Sequence, residues 1–223
     1  MHLINQMANY LKILFSLILL IAAINSCKIQ SSNKIIIPPK ECIELNNKGV
    51  KYLMKYSDDD KQIDTAINLL SEAVKCDTTY LTGYMNLANA YDRKKSYVDE
   101  LVVLNKELIL TNDEPSILTE KGMLFERMAF IDSANKIYLM AKLNYEKKLT
   151  EKPSARIVDG LVLLKALTNG KNEAIKELGK QLKLHPELSA KLSYLYDFYK
   201  DFDRRSFVYR LTIEKSTNAI IIK

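Results

Sequence analysis

From Glu41 onward the apolar residues recur at three- and four-residue spacing, broken about every 12 to 20 residues by turn formers, which predicts a run of short amphipathic helices. The pattern also repeats as a whole. Ala88 and Gly122, Tyr91 and Phe125, Glu100 and Ala134, and Leu104 and Tyr138 each stand 34 residues apart. One step upstream, Ala66, Leu70 and Ala73 stand 34 before Glu100, Leu104 and Glu107, and Gly49 and Tyr52 stand 39 before Ala88 and Tyr91. The five extra residues fall in the polar stretch 56–61, between two helices. Such a period has a physical cause. Two antiparallel helices of about 12 to 14 residues cannot bury their apolar stripes alone, whereas stacked pairs bury a shared one. Small residues are needed where paired helices cross closely, and large ones fill the space beside each crossing.

Ahead of the repeats, residues 1–26 carry one cation, Lys12, no acid, and a twelve-residue apolar run at 13–24. At 1.5 Å per residue that run spans about 18 Å, short of the roughly 30 Å of a membrane core, and it reads as an export signal. Ile24-Asn25-Ser26-Cys27 resembles the bacterial lipobox, which implies lipidation of Cys27 and removal of residues 1–26. Lys28 is not the Asp that retains some lipoproteins at the inner membrane, so the resemblance implies an outer-membrane anchor facing the periplasm. Residues 27–40 end in Pro38-Pro39 and read as an extended tether, 41–215 as the helical domain and 216–223 as a C-terminal tail.

Composition narrows the function classes. With 48% hydrophobic residues, six Gly and five Pro, the chain is globular and neither collagen-like nor low-complexity. Two His and no Trp leave few imidazole bases or metal ligands. No Gly-rich phosphate loop, Gly-x-Ser-x-Gly, His-Glu-x-x-His or Cys-x-x-Cys occurs. Asp58-Asp59-Asp60 lacks the spacing of a calcium loop and reads as helix capping. His185, before Pro186, reads as a helix C-terminal residue. No enzyme, cofactor or metal is expected. A net charge of +6 from scattered basic residues on an exported chain argues against nucleic acid.

The repeat resembles the tetratricopeptide repeat. The second unit offers Tyr84, Leu87, Ala88, Tyr91 and Leu104, and the third offers Leu118, Gly122, Phe125, Ala134, Tyr138 and Ala141. The first offers Leu45, Gly49, Tyr52, Ala66, Leu70 and Ala73. Glu100 and Glu107 depart from the pattern, standing where small residues belong, and are expected to loosen that helix. A fourth unit is expected over 154–186, with Asn169-Gly170 as its turn and Gly160 slightly out of register. A fifth is expected from Leu188, closing with a helix over 204–214 after an Asp203 cap. The resemblance implies an all-α, right-handed α-solenoid of four to five antiparallel helix pairs.

In that register Cys42 opens the first helix and Cys76 closes the second, so antiparallel packing brings their ends together. Either a disulfide, which an oxidising compartment permits, or one buried and one surface thiol fits. The resemblance also implies that the first helix of each pair lines a concave groove. Its contact positions fall on Asn46 and Val50, on Met85, Asn89 and Arg93, and on Thr119, Met123 and Arg127. Arg93 and Arg127 either meet a partner's carboxylates or pair with Asp92, Glu126 or Asp132 on their own surface. The carboxylate clamp of chaperone-binding repeats is not matched, although Asn86 fits one of its members. The expected function is a non-catalytic envelope scaffold for another envelope protein or peptide, with no small-molecule substrate. The alternative is an accessory glycan- or nutrient-binding lipoprotein using exposed aromatics such as Tyr196 and Tyr199.

Overall fold

The computed structural model describes residues 37–55, 59–210, 212–213 and 220–221. Cys27, the export signal, most of the tether and Asp58 therefore lie outside the described residues. The helices are α1 (Lys40–Lys55), α2 (Asp60–Cys76), α3 (Leu81–Lys94), α4 (Tyr97–Thr111), α5 (Pro115–Arg127), α6 (Ile131–Glu151), α7 (Ala155–Asn169) and α8 (Lys171–Leu184). A 3₁₀ turn, Pro186–Leu188, leads to the short α9 (Ser189–Leu192), α10 (Leu195–Lys200) and α11 (Arg204–Tyr209). The fold is all-α. Consecutive helices pack as the pairs α1–α2, α3–α4, α5–α6 and α7–α8, each pair on the next, in a solenoid-like stack.

Local chemistry places the boundaries. The Asp59 carboxylate accepts from the Lys61 and Gln62 amides and starts α2, and Ser154 Oγ accepts from Ile157 N to start α7. Pro115 occupies the first turn of α5, where its missing N–H costs nothing. Gly170, at φ 89°, makes the turn between α7 and α8.

The small positions act as the repeat register requires. Ala66, Ala134 and Ala141 are fully buried, and Gly122 lies so close under the Tyr138 ring that any β-carbon would displace it. Gly160 behaves differently. Its close neighbour is the Tyr145 ring of α6, so it serves the contact between successive pairs and not the crossing within one, which accounts for its offset register. Nothing breaks α6 until Pro153, and that helix runs 21 residues, well past the expected length, carrying Tyr145 onto α7.

The C-terminal part departs from a fifth repeat. Leu188, Leu192, Leu195 and Tyr199 are buried as their spacing predicts, in a core shared with Val158, Val162 and Leu178. The helix carrying them is interrupted at residues 193–194, and Tyr194 and Phe198 remain exposed. The expected helix over 204–214 ends at Tyr209, because Arg210 turns left-handed at φ 54°. Two-residue strands follow, Thr212–Ile213 paired antiparallel with Ile220–Ile221, so part of the expected tail is hydrogen-bonded back to the domain's end.

Candidate functional site

The eight expected groove residues divide. Met85, Asn89 and Arg93 are exposed and Val50 is partly so, whereas Asn46, Thr119 and Met123 are buried and Arg127 is half-buried with its side chain enclosed. Asn46 Oδ1 accepts from Asn86 Nδ2 at 2.8 Å, tying α1 to α3, and the Thr119 hydroxyl donates to Pro115 O within its own helix. Arg93 donates from Nε to Asn89 Oδ1 at 3.0 Å and from Nη1 to Leu53 O at 2.8 Å, where it satisfies a carbonyl at the end of α1. Neither arginine stands free on a wall. The Arg127 side chain is 1% exposed, and its Nη2 lies 2.8 Å from Glu100, 3.3 Å from Asp92 and 3.6 Å from Glu120. It thus pairs internally, but with Glu100 and Glu120 as well as Asp92, and not with Glu126 or Asp132.

The chain's own C-terminal segment covers part of this face. Arg204 donates from Nε to Leu167 O of α7 and from Nη2 to Glu126 Oε1 of α5 at 2.6 Å. Arg127 Nη1 donates to Val208 O at 3.2 Å, and Val208 itself is fully buried. Arg210 then reaches Asp92 of α3 through Nε at 3.2 Å and Glu120 of α5 through Nη2 at 2.7 Å. Residues 204–210 therefore cross α7, α5 and α3, the first helices of three consecutive pairs.

Where α1 packs on α3 and α5 packs on α7, α3 and α5 do not meet closely along their lengths. A cavity of about 260 Å³ lies between them, lined by Asp92, Glu100, Glu107, Glu120, Met85 and Arg210 among others. Its origin is legible in the residues. Glu100 and Glu107 occupy the positions that hold the buried small residues Ala66 and Ala73 in the first pair, and both line this opening. Burial pushes the Glu100 carboxyl up to about 8, against the pull of Arg127 and with the help of Asp92 and Glu120. Burial also pushes Glu107 up to about 7, with Glu120 adding to it. Glu100 Oε2 and Glu107 Oε1 have no hydrogen-bond partner. The loosening expected of these two residues becomes an acid-lined cavity, which the sequence signalled as a charge at a small-residue position.

The other candidates are placed as follows. A disulfide joins Cys42 and Cys76. Among the described residues the sole convergent set of three metal-type ligands is Glu41 with these two cysteines, whose sulfurs are bonded to each other. His185 ends α8 and lies 3.8 Å from Glu187. Tyr199 is buried and Tyr196 partly so, which leaves Tyr194 and Phe198 as the exposed aromatics of that stretch. No helix among the described residues is long and apolar enough to cross a membrane.

No protein-family model matches the chain, and no curated protein does. Among solved structures, the chain is similar to a thermophilic tetratricopeptide-repeat protein of Thermus thermophilus, at a TM-score of 0.44 and 16% identity, over 72% of this chain and 100% of that one.

Proposed function

We propose that this chain is a non-catalytic scaffold of the bacterial cell envelope, anchored by a lipid on Cys27, that holds a partner protein against the first-helix face of its stack. The observation supporting this is the opening between α3 and α5. A stack built only to be stable would close that gap with small residues, as the first pair does with Ala66 and Ala73. Here two buried carboxylates keep it open, and Met85, 52% exposed, stands at its edge with Asn89. An outer-membrane position facing the periplasm goes with the lipobox-like sequence at Cys27 and with the oxidising surroundings that the Cys42–Cys76 disulfide requires.

A photoreactive amino acid placed at Met85 or Asn89 in living cells is expected to trap one and the same envelope protein. Ile109 is the control. It is exposed on α4, two residues and thus about 200° round the helix from Glu107. Equal trapping from Ile109, or none from Met85 and Asn89, discards the first-helix face. Cells fed a palmitate analogue should label the wild type and not Cys27→Ala, and unlabelled wild type withdraws the anchor alone.

A further inference from the structure

The cavity between α3 and α5 holds more carboxyl groups than its own cations meet. Four carboxylates line it, those of Asp92, Glu100, Glu107 and Glu120. Two guanidiniums meet them: Arg127 contacts Glu100, Asp92 and Glu120, and Arg210 contacts Asp92 and Glu120. Glu107 pairs with neither. Its Oε1 is buried and unpartnered, as is Glu100 Oε2, although both side chains are at least nine-tenths buried. A buried acceptor without a donor is costly, so an arriving donor would gain more here than at a solvated carboxylate.

Geometry selects the kind of donor. The cavity's carboxylates do not converge within 4.8 Å as a set of three, which is too open for a metal ion bound by protein ligands. Spread N–H donors suit such spacing, and a guanidinium offers five in a fixed fork. Arg210 already demonstrates the fit. It enters from the segment lying across the face and divides its Nε and Nη2 between Asp92 and Glu120.

We propose that this cavity receives an arginine or lysine side chain of a basic partner segment, laid along α3 and α5 beside Arg210 with its cationic head on Glu107 and Glu100. The proposal rests on the first-helix face being the partner surface and names the partner's chemistry there. The chain as a whole is positive, +6, so general attraction does not favour a basic segment, and its retention has to come from this local field.

The test uses full-length protein in detergent and fluorescein-labelled hexa-arginine, read by anisotropy, with hexa-glutamate as the opposite charge. Hexa-arginine should bind and hexa-glutamate should not. Glu107→Gln keeps the shape and removes the carboxyl that a bound cation would ionise, and should weaken binding about tenfold or more. Ser116→Lys places a cation at the cavity from an exposed position, where folding is not at stake, and should weaken it comparably. Arg210→Ala removes the resident cation and should tighten binding several-fold. Unchanged affinity in both Glu107→Gln and Ser116→Lys overturns the proposal, and displacement of the peptide by micromolar spermidine overturns it in favour of a polyamine site. If the protein trapped at Met85 persists in Ser116→Lys cells, the cavity proposal falls while the scaffold reading stands.

Discussion

At pH 9, where Glu100 is ionised, Arg127→Met should cost about 3–5 kcal/mol of stability, because it strips the cation from a buried pair and leaves its carboxylate behind. The Arg127 and Glu100 side chains are each 1% exposed and 2.8 Å apart. Arg127 also stands over the Tyr97 ring, 5.8 Å from its centre, and donates to Val208 O, so the substitution loosens the segment 204–210 as well. The cost depends on pH, and its sign follows from the raised carboxyls. Glu100 and Glu107 titrate at about 8 and about 7 in the folded chain, against an ordinary 4.5, so the folded state holds more protons than the unfolded one across that interval. Their contribution is whole below about pH 4.5 and is lost as pH rises through about 7 and about 8. The charges facing them are Asp92, Glu120, Arg127 and Arg210. Removing Arg127 raises Glu100 further, which extends the decline above pH 8. Chemical denaturation at pH 6 and pH 9 should therefore find the larger loss at pH 9. Glu100→Gln added to Arg127→Met should restore part of it, since a neutral amide has no charge to strand. A loss below about 1 kcal/mol, or one equal at both pH values, overturns this account of the pair.

Much of the scaffold was legible in the chain because it is set by short-range pattern. The 34-residue spacing located the paired helices, Gly122 under Tyr138 and the buried Ala66 and Ala134 fill the close crossings, and Asp59 and Ser154 cap where their side-chain chemistry suggests. The first-helix positions were legible as a face, but not as a list of accessible side chains. A repeat register says which way a residue points relative to its own pair; what it meets there depends on residues far along the chain. Arg127 meets Val208, 81 residues away, and Asp92 meets Arg210, 118 residues away. No local signal marks residues 204–210 as a strap over three helices, because their pattern is satisfied equally by a terminal repeat helix. The acid-lined cavity lies between these cases. Glu100 and Glu107 were visible as charges at small-residue positions, yet their consequence needed the distance between α3 and α5 to be known.

Replacing both Cys42 and Cys76 by Ala should cost about 3–4 kcal/mol, and the damage should be local. The bond spans a sequence separation of 34, and in the chain-entropy account closing a loop of that size removes about that much freedom from the unfolded chain. Location determines where the loss appears. The bond joins the start of α1 to the last residue of α2, and this first pair packs on α3 with no further described pair on its other side. In a stack held by neighbour contacts, an end pair has half the support of an inner one and opens first. Hydrogen exchange on the double variant should therefore show early loss of protection in 40–76, with α5 to α8 keeping theirs. Reductant should reproduce that profile in the wild type, since Cys76 is exposed at the end of α2 while Cys42 is fully buried. Alanine is the right replacement because at the buried Cys42 position it adds no polar group and leaves only a small void. A loss of protection spread alike over all eight long helices would mean that the pairs unfold as one unit, and a loss below about 1 kcal/mol would mean that α1–α2 packing alone holds the end of the stack.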